Sequence, residues 1–248
     1  YLLAASRAAN FILERLRRSD GRLLARYRDG EAMYKAYALD YAAMIWGLLE
    51  LYQAGFDNQY LNSALELNKD LLKYFWDEGT GGLFIYGSDA EQLLTRPKEA
   101  YDGALPADNS IATLNLLRLG RLTGDHLLEE KAAQTIRAFA EGINQHPTAY
   151  TFFLTAALFY KQPGRDIVIV GKREEKDTRA MIEAINDRFL PDTLLIFKDP
   201  GEKNLDETVP FIKDMAMIDN KATAYICENF SCQQPVTDIE NLKDTIRK

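Results

Sequence analysis

Leu48-Leu49-Glu50-Leu51-Tyr52-Gln53-Ala54-Gly55-Phe56-Asp57 and Leu116-Leu117-Arg118-Leu119-Gly120-Arg121-Leu122-Thr123-Gly124-Asp125 are two copies of one pattern. In each, a leucine-rich run opens nine positions before an aspartate, from 48 to 57 and from 116 to 125. Beyond the aspartate the chain continues in step, Tyr60 matching Leu128 and Ala64 matching Ala132. The chain start fits the same frame weakly, Tyr1-Leu2 with Ala5 corresponding to Tyr60-Leu61 with Ala64. Self-similarity of this kind marks a repeated supersecondary unit. Here the unit is a helical hairpin, with Asp57 and Asp125 placed to accept hydrogen bonds from the first amides of its second helix.

Two kinds of helix alternate outward from these copies. Residues 36–54 carry only Asp40 and Glu50 as charges, residues 111–120 only Arg118, and residues 147–160 none. Helices apolar nearly all round are buried on several sides. The others are amphipathic: Leu61, Leu65, Leu72 and Phe75 form one stripe, and Leu128, Ala132, Ile136, Phe139 and Ile143 another. The expected set is three outer helices, from Tyr1, Asn58 and His126, and three inner helices, from Ala36, Asn109 and Pro147. An inner layer enclosed by an outer one predicts a mainly α fold, a partial α/α toroid over residues 1–162, about half of a six-hairpin barrel. Half a ring leaves an apolar edge larger than a soluble monomer tolerates. A longer parent chain is expected to supply the missing half, or a homo-oligomer to cover the edge. The repeat ends at 161–165. Residues 166–171, 194–197 and 223–227 read as strands, residues 178–190 as a helix crossing between the first two in parallel, and a last helix starts near Thr237-Asp238. Residues 163–248 are therefore expected to form a small α/β appendage.

Composition narrows the function. Among 248 residues, 30 Lys+Arg against 37 Asp+Glu give a net charge of −7, with no cationic surplus for a nucleic-acid backbone. No run is long and apolar enough to span a membrane. Two cysteines make no disulfide framework and favour a reducing, cytoplasmic setting. The chain opens at Tyr1 with neither initiator Met nor signal segment and reads as a fragment of something longer.

The connections are unequal. Inner-to-outer turns at 54–56 and 122–124 are tight, whereas the outer-to-inner stretches 19–35 and 77–108 are long. Long ordered connections usually carry function, and both of these enter the N-terminal ends of inner helices, at one mouth of the ring. In the second, Gly81-Gly82-Leu83-Phe84-Ile85-Tyr86-Gly87 reads as a strand with hairpin turns. The mouth gathers Asp40, Asp102 and His146 as candidate catalytic groups, and Tyr41, Arg96, Lys98, Tyr101, Asp108, Asn109 and Ser110 as candidate substrate-binding groups. Carboxylates beside aromatic and amide groups suit a sugar, and two carboxylates across a glycosidic bond can act as acid and base. The plainer reading has Asp108 cap a helix, Asp102 fix a turn before Gly103, Arg96 and Lys98 stay solvated, and Asp40 pair with one of those two cations. Cys227 and Cys232, at a strand end, are candidate redox residues; a redox pair or disulfide stands against two quiet thiols. Zinc needs four ligands, and no others are near, so no metal is expected. Gly171 after a strand lacks a phosphate-loop pattern, and no cofactor is expected.

Taken together, Phe75-Trp76-Asp77, Gly81-Gly82-Leu83-Phe84, Leu94-Thr95-Arg96-Pro97-Lys98, Asp102-Gly103-Ala104-Leu105-Pro106 and Asn109-Ser110 resemble the spermatogenesis-associated thioredoxin-domain proteins. So do Ile167-Val168-Ile169-Val170-Gly171, Lys221-Ala222-Thr223-Ala224-Tyr225-Ile226-Cys227 and Pro235-Val236-Thr237-Asp238. One departure is Ala107-Asp108, where the pattern leads one to expect Ser-Gly. The resemblance covers essentially the whole chain as the C-terminal part of that family. It implies a parent with an N-terminal thioredoxin-like domain and a barrel similar to N-acylglucosamine 2-epimerases and six-hairpin glycosidases. The related epimerases use histidines; here His126 is expected at the closed face, and only His146 can reach the mouth. The expected function is part of a carbohydrate-active or sugar-binding barrel with an isomerase- or hydrolase-like cleft. The alternative is a non-catalytic protein-binding or redox-accessory module.

Overall fold

The computed structural model describes residues 1–91, 93–162, 164–202, 205–228 and 231–247. Two units are distinguished: Tyr1–Arg121 with Asp125–Tyr160, and Lys161–Lys248 with Leu122–Gly124. Pro163, where the appendage is expected to begin, lies outside the described residues.

The first unit is helical. Its elements are α1 (Leu2–Arg15), the strands β1 (Leu24–Arg28) and β2 (Glu31–Lys35), and then α2 (Ala38–Gly55), α3 (Asn58–Phe75), α4 (Asp108–Thr123), α5 (His126–Gln145) and α6 (Thr151–Lys161). α3 and α5 start where local chemistry dictates. Asp57 accepts the Gln59 amide and Asp125 the Leu127 amide, each at 3.0 Å. The chain reverses through a left-handed residue just before each cap, Phe56 at φ 53° and Gly124 at φ 72°. Glycine takes that conformation freely, whereas Phe56 is held in it by burial. α3 buries Tyr60, Leu61, Ala64, Leu67, Leu71 and Phe75, one face at helical spacing. α2 is not enclosed on all sides: Ala43, Gly47 and Glu50 are exposed and Trp46 half-buried along one stripe.

The two long connections swap roles relative to expectation. The first holds a regular hairpin, Leu24 opposite Lys35 and Arg28 opposite Glu31, turned by Asp29-Gly30 at φ 53° and 85°. The second has no strand at 81–87, only a single bridge between Trp76 and Leu83. Gly81 and Gly82 are both left-handed, at φ 77° and 78°, so the chain cannot run extended there. Its amides bond elsewhere, Phe84 to the Phe75 carbonyl and Ile85 to that of Pro97. Arg22 ties both connections to α2. Only 2% exposed, it pairs with Asp89 of the second connection and donates to the Tyr41 hydroxyl at 3.0 Å and the Ala36 carbonyl at 3.1 Å. Further along, Ala100 packs with Ile143 and Phe153, which docks the second connection on α5 and α6.

The second unit is a four-stranded sheet, β3 (Arg165–Val170), β4 (Thr193–Lys198), β5 (Thr223–Glu228) and β6 (Ser231–Cys232), in the order β4-β3-β5-β6. β3 and β4 are parallel across α7 (Lys176–Asn186), and β5 runs antiparallel to β3. A Cβ at Gly171 would sit 2.4 Å from Thr178 Oγ1, so this glycine serves close strand–helix packing. A single turn, α8 (Leu205–Thr208), precedes β5. The closing helix α9 (Ile239–Thr245) is capped by Asp238, which accepts the Glu240 and Asn241 amides. Among the described residues, no helix is long and apolar enough to cross a membrane.

Candidate functional site

The residues of the mouth are largely spent on holding the second connection in place. Asn109, fully buried, accepts the Leu83 amide at 2.6 Å and donates to the Leu83 and Glu99 carbonyls at 3.0 and 2.8 Å. Ser110 donates to the Ala100 carbonyl at 3.3 Å. Asp102 accepts the Ala107 amide with one oxygen and the Phe152 and Phe153 amides with the other, capping α6 from a different segment of chain. The first oxygen fixes the turn around Gly103, and the second adds a cap on a distant helix. Lys98 is not solvated: it pairs with Asp77 at 2.5 Å and donates to Thr80. With Lys98, Thr80 and the Gly79 amide all bonding to it, the Asp77 carboxyl is held far below the usual carboxylate range. Arg96 donates to the Tyr86 carbonyl at 2.9 Å and lies over the Phe84 ring.

Asp40 pairs with neither Arg96 nor Lys98. It accepts the Tyr37 amide at 2.8 Å at the start of its own helix, and burial raises its pKa. The backbone amide is nearer than any loop cation and satisfies the same need. Tyr41 is fully buried and accepts from Arg22 and the Leu23 amide, which leaves its hydroxyl no face toward a ligand. His146 is exposed at the end of α5, before a 3-10 turn at Pro147–Ala149, and Tyr101 is exposed on the loop. The structure therefore brings Asp102, Asp108, Asn109 and Ser110 together at the loop–helix junction and leaves His146 and Tyr101 outside that network.

Asp108 differs from its neighbours. It is 4% exposed and accepts the Asn109 amide at 2.7 Å. Burial pushes its pKa up to about 7, the bonds from Asn109 oppose the rise, and the Glu99 charge adds to it. This carboxyl changes protonation near neutral pH.

A second cluster lies along the open stripe of α2 and has no counterpart among the residues picked out at the mouth. Trp46 Nε1 donates to Glu50 Oε1 at 3.1 Å, and Arg118 from α4 reaches the same oxygen at 2.6 Å. Phe152 from α6 meets the Trp46 ring edge-on, with centroids 5.0 Å apart. Glu50 is exposed and both rings are half-buried. Gly47 stands beside them with open space where a Cβ would point. Three apolar helices thus converge on an aromatic pair and an ion pair. Glu50 and Arg118 were visible in the sequence as rare charges within the apolar runs 36–54 and 111–120, with Trp46 one turn before Glu50, but nothing in the spacing joins them to Phe152. Among the described residues, no group of three or more His, Cys, Asp or Glu could hold a metal ion.

In the second unit, Cys227 and Cys232 form a disulfide. This replaces the two quiet thiols with a bridge, because antiparallel pairing sets the two residues directly opposite each other.

These features define a mainly helical protein with a small α/β part. No protein-family model matches the chain. It is 36% identical over 203 residues to human spermatogenesis-associated protein 20, covering 80% of this chain and 26% of that protein. The rat protein of the same name is likewise 36% identical over 203 residues, 80% of this chain and 26% of its own. An uncharacterised protein of Caenorhabditis elegans is 31% identical over 220 residues, 89% of this chain and 30% of the worm protein. These likenesses support the family resemblance read from the motifs. The chain spans about a quarter of the length of the spermatogenesis-associated relatives it matches.

Proposed function

We propose that the helical unit is part of a carbohydrate-active or sugar-binding α/α barrel, and that the sugar lies on the open stripe of its inner helices rather than in the loop that frames the mouth. The carrying observation is the convergence of Trp46, Glu50, Arg118 and Phe152 from α2, α4 and α6 beside the open space at Gly47. Aromatic faces pack on the apolar face of a pyranose, and an arginine–carboxylate pair offers donors and acceptors to its hydroxyls. In this reading the remaining half of the ring and a thioredoxin-like domain belong to a longer parent in a cytoplasmic setting, or a second copy covers the open edge. The test follows Trp46 fluorescence and the thermal midpoint of the chain against mono- and disaccharides and sugar phosphates. Saturable quenching that disappears in Trp46→Phe supports sugar binding, with Trp76 as the internal background. A cooperative melt that no sugar shifts, with flat quenching, refutes it.

The disulfide of the second unit favours a second reading, a non-catalytic protein-binding or redox-accessory module. A parent protein that binds no sugar but changes its protein partners with redox state would select it.

A further inference from the structure

The Cys227–Cys232 bridge lies at the edge of its sheet, and its two ends are in unlike surroundings. Cys227 is fully buried on β5, whereas Cys232 on the two-residue β6 is exposed. A two-residue strand does not stay paired on its own. The segment that follows runs along β5 on three backbone bonds: Gln233 donates to the Ile226 carbonyl at 2.9 Å, and Ala224 and Val236 exchange a pair at 2.8 and 2.9 Å. That strap covers the edge of β5 that β3 does not, and it leads into the Asp238-capped α9. It also lines a polar cleft of about 450 Å³ that includes Gln234, Val236, Asp238 and Asn241. The cysteines are only 5 positions apart, so the bridge closes a very short loop. Closing so short a loop removes little freedom from the unfolded chain, and this bridge is poorly placed as a global staple. It is well placed as a clasp.

We propose that Cys227–Cys232 is a thiol–disulfide exchange site that clasps residues 231–236 to β5, and that its reaction partner is a dithiol reductant. The inference rests on the redox reading of this unit and is independent of the sugar reading of the helical unit. A thiolate of the dithiol attacks Sγ of Cys232, the end open to solvent. The S–S bond breaks, and its electron pair leaves with Sγ of Cys227, which takes a proton from solvent. The second thiol of the reductant, as a thiolate, then displaces Cys232 from the mixed disulfide, and Cys232 is protonated in turn. The protein gains two thiols and the dithiol becomes a disulfide. With the clasp open, the strap is held to β5 only by the short β6 pairing and the three backbone bonds that follow it, and the edge of β5 opens more readily.

The test uses the full chain under native conditions. Millimolar dithiothreitol is added, thiols are alkylated and counted by mass spectrometry, and amide exchange is followed in parallel. The expected result is reduction without unfolding and exchange at least about tenfold faster at Ala224, Gln233 and Val236, with the β3 amides unchanged. Glutathione, a monothiol, should leave its adduct on Cys232. The Cys227→Ser/Cys232→Ser double variant should show the fast exchange without reductant. A bridge that resists reduction until the chain unfolds overturns both this proposal and the redox reading. Reduction with unchanged protection at the three amides, or an adduct on Cys227, overturns the clasp and leaves the redox reading standing.

Discussion

The loop–helix junction at Asn109 and the open stripe at Trp46 are both polar places in an apolar helical unit, and they use polarity in opposite ways. At the junction, Asn109, Ser110, Asp102 and Lys98 bond to backbone carbonyls, amides and neighbouring side chains of the protein itself. A connection of some thirty residues with no strand among its described residues must satisfy its buried amides somehow, and side chains of the helices it serves do so. Along the stripe, Trp46 and Arg118 both bond to Glu50 and the Trp46 ring meets that of Phe152, side chain to side chain. The hairpin of the first connection needs no such help, because its strands satisfy each other. Crowded polar residues at a mouth are therefore a weaker sign of a ligand than a small side-chain cluster facing open space.

The sharpest way to break the contrast is Asn109→Ala. It strands the buried Leu83 amide and carbonyl and removes the bond to the Glu99 carbonyl, and we expect a loss of about 4 kcal/mol in denaturant unfolding. A loss below about 1 kcal/mol would mean that the junction is not held from within. Asp108 gives a pH signature. Folded, it keeps its proton up to about 7; unfolded, it releases it near 4. The folded state binds more protons in between, so this group's contribution is full below about pH 4 and falls away as pH rises through 7. The expected fall is about 4 kcal/mol, and Asp108→Asn should flatten that part of the stability profile. Urea titrations at several pH values would read it, and an unchanged slope would contradict the assignment. Trp46→Ala should differ from Asn109→Ala: stability drops by only about 1 kcal/mol, while sugar affinity read by titration calorimetry falls at least tenfold. The smallest expected effect is at Gly47. Replacing this mid-helix glycine by Ala should stabilise α2 by about 0.5–1 kcal/mol, yet weaken sugar binding by filling the open space. A gain in both would sink the idea that the space is for a ligand.

Much of this was legible locally. Asp57, Asp125 and Asp238 act as caps because capping needs only the next two or three amides. The alternation of apolar and amphipathic helices followed from residue period alone. The hairpin at 24–35 was missed although Asp29-Gly30 signalled its turn, and the strand assigned to 81–87 was misplaced because two adjacent left-handed glycines interrupt it. Asp40, expected to reach a loop cation, found its partner one turn away.

From the sequence by itself came the helical hairpins, their limits to within a few residues, the short α/β end and the family likeness, all set by period, capping and motif order along the chain. Only the tertiary structure decided which carboxyl is desolvated, which polar side chains are already spent on the backbone, and that Trp46, Glu50, Arg118 and Phe152 meet. It also decided that Cys227 faces Cys232. Those outcomes depend on strand register and on the approach of helices distant in sequence, and neither is encoded in any local run of residues.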